Sequence, residues 1–435
     1  MNRSDLRGLR VSGASDTALA HFERAVAAGL RMGGDPAADV IAALADSPDF
    51  AMAHALGAYL LLAGLEARDV ARATAALPDL QRTARTDREK LHAAAIAAYA
   101  AGELDQAAER LEDLLIDHPR DVVALQQAHL LDLYRGDARA LRDRVARFRH
   151  AWGPGLPGYH AVLAMHAFGM EECGDAARAE ETGCEALAIE PRDAWAHHAV
   201  AHALEAQGRA TDGIAWMRER QPMWSEDSFL AVHNWWHRAL CHFELDDAGA
   251  ALGIYDDHIR GAESGLVIDL MDASSLLWRL SLAGVDVGGR WAGLAERWAP
   301  TTCDGWYALS DVHAMMAFVG AARWDLADQI LATLRRRVER GGTNRAMTAD
   351  VGLPLARALY AFGRRDYTTA VGLLRPLRSV APRFGGSNAQ RDVIDLTLIE
   401  AAHRDKQTAL LRALLHERQS NRPRGADGAP LRYAA

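Results

Sequence analysis

The sequence is poor in cysteine. It has four cysteines in 435 residues, at Cys173, Cys184, Cys241 and Cys303, and they form no C-x-x-C pair and no dense framework. This pattern excludes the disulfide scaffold that small secreted proteins use. We therefore expect reduced thiols, as in a cytosolic chain.

Long apolar runs are also absent. No stretch approaches the roughly 18 residues that a membrane-spanning helix needs, and the opening residues, MNRSDLRGLRVSGASD, lack the apolar centre of a signal peptide. The formal net charge is −9, whereas a surface that binds nucleic acid or an anionic membrane needs clustered Lys and Arg. The sequence therefore predicts a cytoplasmic protein with no nucleic-acid or membrane partner.

The short motifs of several enzyme classes are missing as well. The chain contains no G-x-S-x-G, no H-E-x-x-H and no P-loop. The stretch GPGLPG, Gly153 to Gly158, has the spacing of a dinucleotide-binding loop, but its two prolines and the lack of a βαβ unit indicate a linker. No local motif identifies a reaction, so a function must be argued from how the residues come together in the fold.

What the sequence does contain is a turn residue that recurs at nearly constant spacing, which indicates a repeat protein. Successive steps are 38, 34, 38, 34, 38, 38 and 38 residues, and the markers are Gly64, Gly102, Gly136, Gly174, Gly208, Asp246, Gly284 and Ala322. Gly and Asp tolerate the unusual dihedrals of a tight turn, and Pro119 and Pro191, each 17 residues after a marker, stop the second helix. Each repeat is predicted to be a helical hairpin.

These hairpins resemble the tetratricopeptide repeat, a unit of about 34 residues with a small residue in its turn and a proline at its end. Between about Asp193 and Gly320, the chain resembles the tetratricopeptide repeat protein 38 family in four stretches: DAWAHHAVAHALEAQGR, HNWWHRALCHFELDD, DASSLLWRL and DVHAMMAFVGA. The resemblance implies an all-helical repeat protein and carries no biochemical activity with it.

We therefore expect an all-α fold, an α-solenoid of about 8–10 hairpins that curves into a superhelix with a concave central groove. One solenoid should span residues 1–418, with the clearest repeats at about 50–325 and degenerate repeats at about 350–418. Residues 419–435 are polar and rich in Pro and Gly, and we expect them to form a C-terminal tail.

Histidines concentrate in two predicted first helices, in the stretches WAHHAVAHALE and HNWWHRALCHFE. The pairs His198/His202 and His233/His237 have i, i+4 spacing, so both imidazoles of a pair project from one helix face within about 6 Å. Two such pairs on adjacent helices suit one divalent metal ion. The same four histidines are also candidate acid/base catalysts that work without a metal.

The repeat register extends this face to further candidate ligand-binding residues: Glu171, Glu172, Trp195, Glu205, Trp236, Glu244, Ser275, Trp278 and His313. Tryptophan and histidine together also suit a wall that stacks a small molecule and donates hydrogen bonds to it. The predicted face contains no Lys or Arg, which a groove that holds the terminal carboxylate of a peptide commonly uses.

Two functions are consistent with this pattern. The first is a His/Glu/Trp-lined pocket for a small-molecule ligand, with metal binding and catalysis left open and a divalent metal as the candidate cofactor. The alternative is a protein-interaction scaffold that binds a partner peptide in the concave groove. Convergence of the four histidines on one space, with at least one of Glu171, Glu172, Glu205 and Glu244, would favour the first.

Overall fold

A computed structural model describes residues 3–261 and 263–421 of the chain. Nearly all of this part is helical, and its only paired strands are the short antiparallel β1 (Arg3–Ser4) and β2 (Arg10–Val11). The α-helices are α1 Asp16–Arg31, α2 Pro36–Asp46, α3 Ala51–Leu62, α4 Ala67–Thr83, α5 Asp87–Ala100, α6 Leu104–Asp117, α7 Val122–Tyr134, α8 Ala138–Phe148, α9 Tyr159–Glu172, α10 Ala176–Ile189, α11 Ala194–Ala206, α12 Ala210–Glu219, α13 Gln221–Ser225, α14 Ala231–Glu244, α15 Ala248–Ile254, α16 Val267–Leu282, α17 Arg290–Trp298, α18 Ala308–Gly320, α19 Trp324–Val338, α20 Thr343–Met347, α21 Leu353–Gly363, α22 Tyr367–Leu377, α23 Asn388–Arg404 and α24 Thr408–Asn421. Short 3₁₀ segments (Arg149–Ala151, Ala299–Thr301, Ala381–Phe384) and π-helical segments (Tyr255–Ile259, Thr348–Gly352) adjoin them. No helix within the described ranges is long and apolar enough to cross a bilayer.

The chain forms two compact units. The first comprises Met1–Val200 and Gln221–Ala231, and the second comprises Ala201–Arg220 and Val232–Ala435. Within each unit, successive helices pack against one another, as in an array of hairpins. The predicted single solenoid over residues 1–418, its superhelical curvature and its central groove stay predictions.

The turns confirm the repeat register. In the described part of the chain, ten hairpins have one residue with left-handed backbone after the first helix, with φ between 53° and 86°: Leu65, Gly102, Gly136, Gly174, Gly208, Asp246, Gly284, Ala322, Arg365 and Lys406. In nine of these turns the next N–H donates to the carbonyl five residues earlier, at 2.8–2.9 Å. This bond closes the helix end and reverses the chain. Ten such hairpins agree with the prediction, and α1 and α2 form a further pair ahead of them.

The turns also show where the register slips. The left-handed residue of the first marked turn is Leu65 rather than Gly64, one position later than predicted. The Leu65 side chain is 7% exposed, so an apolar contact offsets the strain of this conformation in a residue with a Cβ. Arg365 and Lys406 take the same role in the degenerate repeats, 43 residues after Ala322 and 41 after Arg365.

The first helices of the central hairpins are buried all round, whereas the second helices bury one stripe. Helix α9 buries 13 of its 14 residues and α18 buries 12 of its 13, while α6 buries six of 14. Polar residues in the first helices therefore lie in the interior rather than on an open face.

In the second unit, this burial depends on a helix from the far end of the chain. The Trp278 Nε1 donates to the Thr397 hydroxyl at 2.9 Å, and an Arg279 Nη2 donates to the Ala389 carbonyl at 2.6 Å. Thr397 and Ala389 both belong to α23, more than 100 residues later. Helix α23 thus covers the part of α16 that carries Trp278 and Arg279.

The C-terminal boundary differs slightly from the expected one. Helix α24 continues to Asn421, beyond the predicted start of the polar tail at residue 419. Residues 422–435 of the predicted tail lie outside the described residues.

Candidate functional site

Three of the predicted histidines gather at one point in the second unit. His202 lies on α11, and His233 and His237 lie one turn apart on α14. One ring nitrogen of each lies within 4.8 Å of those of the other two. The ring centroids of His202 and His237 are 4.3 Å apart, and those of His233 and His237 are 4.9 Å apart. All three side chains are buried, so the cluster lies in the interior of the unit.

Two carboxylates from two helices flank this histidine cluster. The Glu205 Oε2, three residues after His202 on α11, lies 3.4 Å from the His237 Nδ1. The Asp272 Oδ1 and Oδ2, from α16, lie 3.0 and 2.9 Å from the His233 Nδ1. Asp272 thus occupies the Nδ1 side of the His233 ring, and the Nε2 lies on the opposite side of that ring.

Sequence reasoning included Glu205 and missed Asp272. Asp272 begins the stretch DASSLLWRL, where it is the one acidic residue of a segment that is otherwise apolar and hydroxylated apart from Arg279. A buried acid in such a segment needs a partner, and this was the signal that could have identified it.

Burial determines the protonation of His237. It lowers the pKa of His237 well below its ordinary value, and the nearby His202, His233 and Arg279 add to this effect. His237 is therefore neutral near pH 7 and keeps a lone pair on one ring nitrogen, which is the form that coordinates a metal ion. Burial also raises the pKa of Asp269, one turn before Asp272, to about 6.

Trp236 forms an aromatic wall beside the histidines. Its ring is stacked on His233 with centroids 5.3 Å apart and an interplanar angle of 16°, and it stands edge-on to His237 at 4.8 Å. The Arg279 guanidinium carbon lies 5.4 Å from the centre of the Trp236 ring. Another nitrogen of Arg279 donates to the hydroxyl of Ser275, so this predicted ligand residue already holds the guanidinium in place.

Three other predicted residues of the second unit have their contacts elsewhere. Trp278 bonds to α23, as described above. His313 uses its Nδ1 to bond the Leu309 carbonyl of its own helix at 2.7 Å, and burial lowers its pKa to about 4. Glu244 ends α14 seven residues after His237, which is about 10 Å along the helix axis.

The remaining predicted residues lie in the first unit. The His198 ring centroid is 4.7 Å from that of Trp195 and 5.1 Å from that of Phe168, so His198 packs within an aromatic group. Glu171 and Glu172 are buried at the end of α9, with carboxylate oxygens within 4.8 Å of each other. A role for these residues and His198 in ligand binding or catalysis stays a prediction.

The first unit also contains His–Asp pairs with a buried aspartate, which show the structural role of such a pair. His92 lies 3.0 Å from Asp121, and His160 lies 2.7 Å from Asp193. Each of these aspartates also begins a helix, where it accepts a hydrogen bond from the backbone N–H three residues later at 3.0 and 2.9 Å respectively. Asp272 lies inside α16 instead, so helix capping does not account for it.

The histidine cluster offers the donor set of a transition-metal site. Imidazole nitrogens with a carboxylate oxygen suit Zn²⁺, Co²⁺ and Cu²⁺, whereas Ca²⁺ and Mg²⁺ prefer oxygen ligands alone. Three protein nitrogens and one carboxylate would complete a tetrahedral shell. The residues present therefore fit a divalent ion of the zinc type, with His202, His233, His237 and Glu205 as its ligands.

The fold and the cluster together define an all-α protein of repeated helical hairpins with a buried histidine cluster in its second unit. No protein-family model matches the chain. Among solved structures, the chain is similar to the crystal structure of the P58(IPK) TPR domain, over 90% of this chain and 99% of that chain, with 14% identity and a TM-score of 0.22. At so low a TM-score the fold assignment rests on the helices and turns of this chain, and membership of the tetratricopeptide repeat protein 38 family stays a prediction.

Proposed function

We propose that this repeat protein binds a divalent transition-metal ion inside its second unit. The ligands are His202, His233 and His237, with Glu205 as the fourth donor. The observation that carries the proposal is the approach of three buried imidazole nitrogens to within 4.8 Å of one another. Ligand atoms of one tetrahedral zinc ion lie about 3.3–3.4 Å apart, because each zinc–nitrogen bond is about 2.0–2.1 Å, so modest rotation of the rings suffices to close the shell.

Burial supports an ion as the ligand. Protonated imidazoles side by side in a dry interior repel one another and lose their hydration. Neutral imidazoles instead present lone pairs, and a single cation accepts one from each ring. The low pKa of His237 keeps this form available across the physiological range.

The same burial weighs against the peptide scaffold in this part of the chain. A peptide groove needs an inner face that is open to solvent, whereas Trp278 of the predicted face bonds to α23. His237 and Trp236 are 1% and 0% exposed. These low exposures agree better with a buried ion than with a peptide. They also agree better with an ion than with a small molecule that enters and leaves rapidly.

The test is a titration of the metal-free full-length chain with Zn²⁺ and Co²⁺, followed by calorimetry and by the visible absorption of bound Co²⁺. We expect one equivalent to bind. His202→Ala and His237→Ala should each weaken binding by at least about 100-fold, because each removes a direct ligand. His313→Ala is the matched control, since His313 is equally buried in the same unit but bonds its own helix; it should bind as the wild type does. A folded wild-type chain that takes up neither ion would refute the proposal.

A further inference from the structure

We infer that Asp272 is the positioning residue of this site, which holds the His233 ring so that its Nε2 faces the bound ion. The inference rests on the proposed metal-binding function. Both carboxylate oxygens of Asp272 lie within 3.0 Å of the His233 Nδ1, and Asp272 is 1% exposed. A carboxylate in this place selects the tautomer with the proton on Nδ1 and the lone pair on Nε2.

The place of Asp272 in its helix separates it from the structural aspartates. Asp121 and Asp193 each precede a helix and bond its first turn, so both would be retained for capping alone. Asp272 is the sixth residue of α16, which begins at Val267, and the backbone N–H groups around it bond within the helix. A buried carboxylate destabilises such a helix unless a partner compensates its charge.

The charges around Asp272 point to the nature of this compensation. Its acidic neighbour Asp269, one turn away on α16, has a pKa that burial raises and that the charge of Asp272 raises further. The group that faces Asp272 from α14 is the His233 imidazole. A cation on the His233 Nε2 would make the Nδ1–H a stronger donor to the carboxylate, as in the carboxylate–histidine–zinc arrangement. Asp272 then acts on the ion through His233, without touching it.

A second contact fixes the plane of the same ring. Trp236 is stacked on His233 at an interplanar angle of 16°. The aspartate sets which nitrogen faces inward, and the indole limits rotation of the ring about its bond to the backbone. Of the three histidines in the cluster, His233 is thus held from two directions by α14 and α16.

Asp272→Asn tests the inference, because the amide oxygen can still accept from Nδ1–H while the negative charge is lost. We expect the affinity for Co²⁺ and Zn²⁺ to fall about 10–100-fold and the visible absorption bands of bound Co²⁺ to shift, since the ligand field of His233 changes. A purely structural role would leave that spectrum unchanged in the folded protein. Asp193→Asn is the matched control: it alters the same type of pair, at His160, on the helix that carries His202, and should leave both readouts unchanged.

The outcomes separate the two proposals. If the wild-type chain binds neither ion, the proposed function fails, and the inference fails with it. If the wild type binds Co²⁺ and Asp272→Asn shows the same affinity and spectrum, the positioning role alone is overturned. Should Asp272→Asn not fold, as judged by circular dichroism, Asp272→Glu keeps the charge and displaces the oxygens by one methylene. An unchanged Co²⁺ spectrum in Asp272→Glu would equally overturn the role.

Discussion

Buried histidines have different surroundings in the two units of this protein. In the first unit, His92 lies between the Tyr59 hydroxyl at 3.1 Å and Asp121 at 3.0 Å, and Asp121 is also paired with the buried Arg88. Every member of that network has a partner of its own. In the second unit, three imidazoles also converge on one another. The difference teaches that a buried histidine by itself signals packing, whereas several lone pairs that point to one space signal a ligand.

The pKa values follow the same division. Burial opposes ionisation of Asp121, yet Arg88 and His92 hold its pKa well below the ordinary value. Charge in the first unit is therefore kept and compensated. In the second unit, burial lowers the pKa of His237 and keeps the ring neutral, so this ring needs no compensating charge.

The largest expected effect on stability comes from removing Asp121, the carboxylate of the first unit's network. Asp121→Ala leaves Arg88 and His92 as buried groups without their carboxylate and removes the cap of α7, so it should cost about 3–5 kcal/mol of unfolding free energy. In the metal-free protein Asp272→Ala should cost less, about 1–3 kcal/mol, because it leaves one hydrogen-bond partner without its carboxylate rather than two. Denaturant unfolding of both variants checks this, and equal losses would contradict the distinction drawn here.

A second prediction uses a carboxyl of the second unit that lacks the compensation of Asp121. Asp311 is 5% exposed, and its Oδ2 has no hydrogen-bond partner among the described residues. Burial raises its pKa to about 8. The folded state thus retains a proton that the unfolded chain has already lost above about pH 4, so this residue makes stability fall as pH rises from about 4 to 8.

Asp311→Asn should therefore stabilise the protein by about 2–4 kcal/mol at pH 7. The gain should nearly vanish below pH 4, where aspartate is protonated in both states. Unfolding free energies measured between pH 3 and pH 8 give the profile. A constant difference between wild type and variant across that range would show that Asp311 titrates normally in the folded state.

The smallest expected effect on stability comes from the left-handed turn positions, compared between a regular and a degenerate repeat. Arg365 occupies the left-handed turn position with φ of 63°, where Gly102 has 81°. Arg365→Gly should stabilise the protein by about 0.5–1 kcal/mol, and Gly102→Ala should cost about 1 kcal/mol, because only glycine adopts this conformation without strain. Thermal unfolding of the two variants is the measurement, and shifts of the same sign would refute the shared role of the two positions.

Much of the fold was predictable, because the residues that end its helices and form its turns act locally. A helical hairpin needs a left-handed residue after its first helix, and Gly102, Gly174 and Gly208 supply it at regular intervals. The prediction slipped at Leu65, since an apolar contact permits a residue that no turn pattern favours. The i, i+4 histidine pairs were equally predictable, because helix geometry alone places each pair on one face.

The sequence by itself determined the helices, the turns that pair them and the presence of histidines on shared helix faces, since these depend on neighbours within about one repeat. Only the tertiary structure decided that Asp272, 39 residues beyond His233, bonds its Nδ1. It alone showed that α23 packs against α16 through bonds that span 110 and 119 residues. Contacts at such separations depend on how successive hairpins are rotated relative to one another, and small rotations that no local pattern encodes add up along an array.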